Sequence, residues 1–131
     1  MMKGVLDFLV GDSEEAKILR NNFIFKIIPM LNPDGVINGN YRCSLAGCDL
    51  NRRWKHPSAL LHPTIHFAKK LIKDFAAERE LTLICDLHGH SRRKGTFIYG
   101  NTEANCPEAT RLFPFMMSKI SPHFSYDLSR F

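Results

Sequence analysis

The chain has 131 residues, of which 44% are hydrophobic and 24% charged, and it carries a net charge of +5. That is room for one domain with a core of its own, in an ordinary globular composition rather than a low-complexity or disulfide-framework one. No apolar run nears the roughly 20 residues of a membrane span. The opening MMKGVLDFLVGDSEE lacks a basic lead and turns acidic, so it does not read as a secretory signal.

Val5, Leu6 and Leu9, and then Ala16 and Leu19, recur at helical spacing. Gly11 to Glu15 ends one helix and starts the next, with Ser13 or Asp12 as the cap and the acids suited to a helix N-terminus. Phe23 to Met30, FIFKIIPM, is nearly all apolar and rich in β-branched and aromatic residues. It predicts a strand buried on both faces, as in a parallel sheet. Residues 31–62 predict a long irregular stretch, which in a compact domain points to function. Its Tyr41, Leu45, Leu50 and Trp54 argue for order. It opens on Asn32-Pro33-Asp34-Gly35, a turn in which Pro fixes φ and Gly takes the positive-φ position.

Thr64 to Glu78 predicts an amphipathic helix, with Ile65, Ala68, Leu71, Ile72, Phe75 and Ala76 on one face and Pro63 just inside its start. LTLICDLH, residues 81–88, predicts a second buried strand, and Thr96 to Tyr99 a short third one. Pro107 to Ile120 reads as helical in part, interrupted or kinked at Pro114. The order predicts an α/β fold, part of a mixed, mostly parallel sheet flanked by helices. Sites in such sheets lie past the carboxyl ends of the strands. Both the 31–62 stretch and His88 follow such ends.

Of four cysteines, Cys85 is expected to be a buried free thiol in its strand. Cys43 and Cys48 loosely suggest zinc, but no second pair follows at finger spacing. Reduced, cytosolic thiols are favoured. Arg52-Arg53-Trp54-Lys55 and Arg92-Arg93-Lys94 each read alone as a solvated face, and together as a surface for an anion such as an acidic peptide or nucleic acid. No nucleic-acid-binding module pattern is present, so the expectation is no nucleic acid and no membrane partner.

The stretch ICDLHGHS ends a strand in two histidines. Asp86, His88 and His90 share one face if the strand stays regular. An imidazole with a nearby carboxylate suits zinc. An H-x-H pair can also hold a metal in a different hydrolase, and a satisfied polar strand end is the plain alternative. Asn51 and Arg52 are made to grip a carboxylate, through a planar fork of donors and an amide donor beside it. Arg42 is a third donor, of the kind that sits where an oxyanion develops.

NPDG followed by NGNYRCSLAGCDLNRRW and CDLHGHSRRKGTFIYG resembles the M14 metallocarboxypeptidases. Within them it is similar to the cytosolic carboxypeptidase subfamily, which trims glutamates from tubulin tails and other acidic C-termini. The resemblance includes the opening MMKGVLDFLVGDS and weakens after about Asn101. It implies a zinc-carboxypeptidase-like fold, a peptidase using Zn2+, acidic protein C-termini as partners, and a cytoplasmic, microtubule-associated location. It implies that His88 binds the metal and that Asn51 and Arg52 hold the substrate's terminal carboxylate. Arg42 then polarises the scissile carbonyl and stabilises the oxyanion, and Asp49 orients another zinc-binding histidine. His90 matches no family role. Arg53 departs from the family's Asn-Arg-Asn-aromatic pattern.

The family's other two zinc ligands come from an H-x-x-E motif and its general base from a glutamate. Here His56, His62, His66 and His123 are followed three residues later by Ala59, Ile65, Lys69 and Tyr126. Residues 1–131 are therefore expected to be part of an M14 catalytic domain, without the upstream H-x-x-E or the downstream glutamate, and inactive alone. A non-catalytic module that binds acidic C-termini is the alternative.

Overall fold

Helices dominate the computed structural model, which describes all 131 residues. The chain divides into two compact units, residues 1–87 and 88–131. The first holds α1 (Met2–Val10), α2 (Glu14–Asn22), α3 (Pro33–Asn38), a 3-10 turn (Leu50–Arg52) and α4 (Pro63–Glu78). The second holds α5 (Pro107–Ile120).

α1 and α2 form a helical hairpin with Leu9 and Ala16 buried. Ser13 caps α2 as its position predicts, its Oγ accepting from the Ala16 N–H at 3.2 Å. The last carbonyls of a helix lack intrahelical partners. Arg20 supplies them for α1, its guanidinium donating to the carbonyl of Leu9 and, at 2.8 Å, to that of Gly11. The hairpin is therefore fixed by one arginine reaching back from the second helix to the end of the first.

The expected turn at Asn32 is instead a helix start. Asn32 caps α3, its Oδ1 accepting from the Gly35 N–H at 3.1 Å, and Pro33 takes the first helical position. Asn before Pro serves a helix start as well as a turn, since Pro pre-sets φ where no N–H is needed. Gly35 does not adopt positive φ. It is required for space: a Cβ there would lie 2.3 Å from Asn32 Nδ2 and 2.8 Å from the Asn40 carbonyl oxygen. α4 matches expectation, with Pro63 at its start and Ile65 and Ala68 buried.

The mixed sheet is not formed. Residues 24–28 and 80–90 have no regular secondary structure, and no ladder joins them to anything. Phe23, Ile24, Phe25, Ile27, Ile28 and Met30 are exposed, as are Leu81, Leu83, Ile84 and Leu87. A doubly buried strand needs a ladder on both edges and a layer on each face, and these segments join no ladder and leave their large apolar side chains exposed. Cys85 is accordingly exposed rather than buried. Desolvation by the adjoining chain, with the Asp86 charge beside it, still pushes its thiol pKa up.

Of the expected strands, only Thr96 to Tyr99 finds a partner. It runs parallel to the last residues of the second unit, bridged at Thr96 with Phe124 and Tyr99 with Arg130. Ser125 and Arg130 donate their N–H groups to the Thr96 and Ile98 carbonyls at 2.8 and 2.9 Å. At Ile98 the buried Ser129 hydroxyl replaces a ladder carbonyl, accepting the N–H at 3.1 Å. α5 is unbroken across Pro114.

The chain exposes 10506 Å². Two separate compact bodies of these lengths would expose roughly 8,400 Å² in all. The expected outcome in urea denaturation is that Ile65→Ala, at 1% exposure, costs about 2–4 kcal/mol. Ile37→Ala, at 82% exposure, should stay within about 0.5 kcal/mol of the parent.

Candidate functional site

Residues 32–55 carry most of the residues singled out by sequence, and asparagines shape the segment. The Asn40 side-chain oxygen accepts from the N–H groups of Arg42 and Cys43 at 3.0 and 2.8 Å. Asn32 Nδ2 donates to the Cys43 carbonyl at 3.3 Å, tying the start of α3 to the same strand of chain. A tight reversal follows. Gly47 takes φ +66°, its N–H reaches the Ser44 carbonyl at 2.9 Å, and Cys43 bridges antiparallel to Asp49. Positive φ there favours glycine.

The reversal brings Arg42 and Asp49 face to face, Nη1 to Oδ2 at 2.9 Å. Asp49 then starts the 3-10 turn, its Oδ1 accepting from the Asn51 N–H at 2.9 Å. Arg52, one turn on, places its Nε 3.8 Å from the same carboxylate. Leu50 is buried and anchors the turn. The Trp54 indole N–H donates to Asn51 Oδ1 at 3.1 Å, which leaves the Asn51 amide nitrogen as the group that can meet a carboxylate. Arg42 also lies 5.3 Å from the Tyr41 ring centre.

The segment continues onto α4. Lys69 Nζ donates to the carbonyls of Trp54 and Lys55 at 2.6 and 2.8 Å. The His62 Nδ1 accepts from the Ser58 N–H at 3.0 Å, and the His66 Nδ1 lies 3.3 Å from the Pro57 carbonyl. An open groove of about 410 Å³ runs here, lined among others by Lys55, Lys69, Lys70, Lys73 and Asp74. Its positive balance suits an acidic ligand.

Three predicted donors, Arg42, Asn51 and Arg52, thus sit on one short piece of chain with Asp49 among them. Sequence reasoning read Asn32 only as the opening of a turn and gave Asn40 and Lys69 no role in holding that piece in shape. The Asn-Pro pair was a readable helix-start signal; the Lys69 tether had none.

His88 opens the second unit, and the regular strand that would align it with Asp86 and His90 is absent. His90 organises the turn after it. Its Nδ1 accepts from the N–H groups of Arg92 and Arg93 at 3.2 and 3.0 Å. Its ring packs edge-on against Phe97, and Arg93 lies over Phe97 and Tyr99. No group of three or more His, Cys, Asp or Glu side chains could hold a metal ion. The residues present therefore do not fit a zinc site by themselves; they offer His88 as a single imidazole.

The chain belongs to the zinc carboxypeptidase family, peptidase M14, which matches residues 1–126. Among its relatives, cytosolic carboxypeptidase 1 of Homo sapiens is 49% identical over 95% of this chain and 11% of its own length. Cytosolic carboxypeptidase 2 of Xenopus tropicalis is 50% identical over 93% of this chain and 13% of its own length. Cytosolic carboxypeptidase 3 of Mus musculus is 46% identical over the full chain and 14% of its own length. The chain thus spans a small fraction of the relatives it matches.

Burial, the largest single influence on Asp49, pushes its carboxyl pKa up. Hydrogen bonds from Arg42 and the Asn51 N–H, with the charges of Arg42 and Arg52, outweigh it and hold the pKa below the usual value. A depressed carboxyl contributes stability that is present above its unfolded pKa of about 3.9 and lost as pH falls through the lower folded value. Carboxyl-carbon NMR titration should accordingly place the Asp49 midpoint below about 3.9. In Arg42→Gln that midpoint should rise.

Proposed function

We propose that this chain is a segment of the catalytic domain of a zinc-dependent carboxypeptidase that removes C-terminal residues, chiefly glutamates, from acidic protein tails such as those of tubulin. The observation that carries this reading is that Arg42 and Arg52 face one carboxylate, that of Asp49, with Asn51 on the same turn and its amide nitrogen not engaged by Trp54. A fork of guanidinium donors beside an amide recognises a terminal carboxylate by geometry as well as charge. Asn51 and Arg52 fix the free chain end, which restricts cleavage to the last residue. Arg42 meets the carbonyl oxygen on which negative charge grows, where a preorganised cation contributes most. The basic groove beside α4 and the run Arg92-Arg93-Lys94 suit a glutamate-rich tail.

Zinc is the metal the family implies. His88 is the one residue here proposed to ligate it, and this chain alone has no set of side chains to complete the site. A cytoplasmic setting accords with the names of the relatives and with four free thiols. Microtubule association follows if tubulin tails are the substrate. A second reading, a non-catalytic module for acidic C-termini, is favoured by the donors being held by contacts within residues 42–54 themselves.

A glutamate-rich peptide with a free C-terminus should bind the chain about tenfold or more tightly than its amidated form, as loss of a charge-assisted pair costs about 1.5–3 kcal/mol. Arg52→Ala should remove that difference in a calorimetric titration. With zinc supplied, the chain alone should release no glutamate; chelator-sensitive release would contradict its inactivity.

A further inference from the structure

Asn51 is one of the two residues proposed to hold the free chain end, and the end of its amide that faces a ligand decides what it can hold. The two ends of an Asn side chain are nearly alike in shape, but one is an acceptor and the other a double donor. Their orientation is therefore set by partners. In a 3-10 turn side chains three apart lie on one face. Trp54, just past this turn, places its indole nitrogen 3.1 Å from the Asn51 Oδ1. An indole N–H only donates, so it meets the oxygen and not the amide nitrogen. Trp54 is itself held: its carbonyl accepts from Lys69 Nζ at 2.6 Å, and Lys69 stands on α4 beside the buried Ala68. The Asn51 backbone is fixed as well, its N–H donating to Asp49 Oδ1 at 2.9 Å. Asn51 is thus left with its NH2 group for a ligand, next to an Arg52 side chain that is 73% exposed.

We infer that Trp54 is a specificity-determining residue: by occupying the Asn51 oxygen it makes the chain-end pair all donor, which admits a terminal carboxylate and rejects a terminal amide. The inference rests on the reading of Asn51 and Arg52 as that pair. A carboxylate has two acceptor oxygens and can meet Arg52 with one and Asn51 with the other. An amidated terminus has one oxygen and one NH2. Against two donors its NH2 faces a donor, and a polar group so placed gives up water without gaining a partner. If the Asn51 amide could turn over, its oxygen would accept from that NH2 and the amidated terminus would be matched. Trp54 acts through Asn51 and is a positioning residue in this sense. Specificity is a difference of two affinities, and Trp54 acts mainly on that of the rejected ligand. Asn51 is exposed, so the effect is a factor of a few.

The test is calorimetric titration of the chain and of Trp54→Phe with a glutamate-rich peptide, free and amidated. Phe keeps an aromatic ring at the position and removes the N–H. The expected result is that Trp54→Phe binds the amidated peptide more tightly and the free peptide no more tightly than the parent does. The ratio of the two affinities should then fall about threefold without vanishing, since Arg52 still prefers a charged end. A merely structural role for Trp54 would weaken both peptides together. An unchanged ratio, or a fall caused only by weaker binding of the free peptide, in a variant with unaltered helical circular dichroism overturns the inference. Failure of the parent chain to distinguish free from amidated peptide instead removes the chain-end pair itself, and the inference with it. A readout independent of any variant is proton NMR of the parent chain. Saturating free peptide should shift the Asn51 side-chain NH2 signals while the Trp54 indole N–H stays slow to exchange with water. An indole N–H that exchanges as fast as that of a free indole overturns the inference.

Discussion

One carboxylate organises the segment from Asn32 to Lys55. Arg42 and Arg52 are both cations, and in the absence of an anion between them they would repel. Asp49 supplies the anion and at the same time starts the helical turn that carries Asn51 and Arg52. Its position depends on two backbone features: the glycine reversal at Gly47 and the close approach of Asn32 and Asn40 to Gly35. From there order spreads outward through Trp54 on Asn51 and Lys69 on the Trp54 carbonyl to the start of α4. A segment without long regular elements is held by side chains that satisfy backbone groups, since backbone donors and acceptors left unmet are costly.

The helices were legible because their signals are local. Ser13 before two glutamates, Pro63 before an amphipathic run and Pro107 before another are each sufficient without knowledge of the rest of the chain. The sheet was not legible in the same way. FIFKIIPM and LTLICDLH have strand composition, but composition records an environment, and a ladder exists only where a partner stands alongside. Thr96 to Tyr99 has a partner in the residues around Phe124 and Arg130 and pairs with it. The other two segments join no ladder. The functional residues divide likewise. Arg42, Asp49, Asn51 and Arg52 lie within a few residues of one another and assemble through a reversal the sequence encodes. His88, Asp86 and His90 depended on strand regularity for their alignment, and that regularity is absent.

Family membership implies a zinc-carboxypeptidase-like fold, and the apolar segments were expected to be strands of it. In this chain they are instead large exposed apolar surfaces, with Phe23 to Met30 the longest. Surfaces of this size on a soluble protein mark contacts yet to be made or a tendency to associate. The segment around Asp49 is nonetheless ordered, because its order comes from short-range hydrogen bonds and not from a sheet. The order of this segment and the assembly of a sheet are thus separable in this sequence.

Trp54 is the only tryptophan in the chain. Its indole N–H rests on the side chain of Asn51, and its carbonyl on Lys69. Indole emission from this protein therefore has a single origin, three residues from Asn51 and hydrogen-bonded to its side chain. The molecule carries a built-in optical reporter. A change in the hydrogen bonding of Asn51 alters the polarity around one fluorophore, so the state of that side chain can be followed without attaching a label.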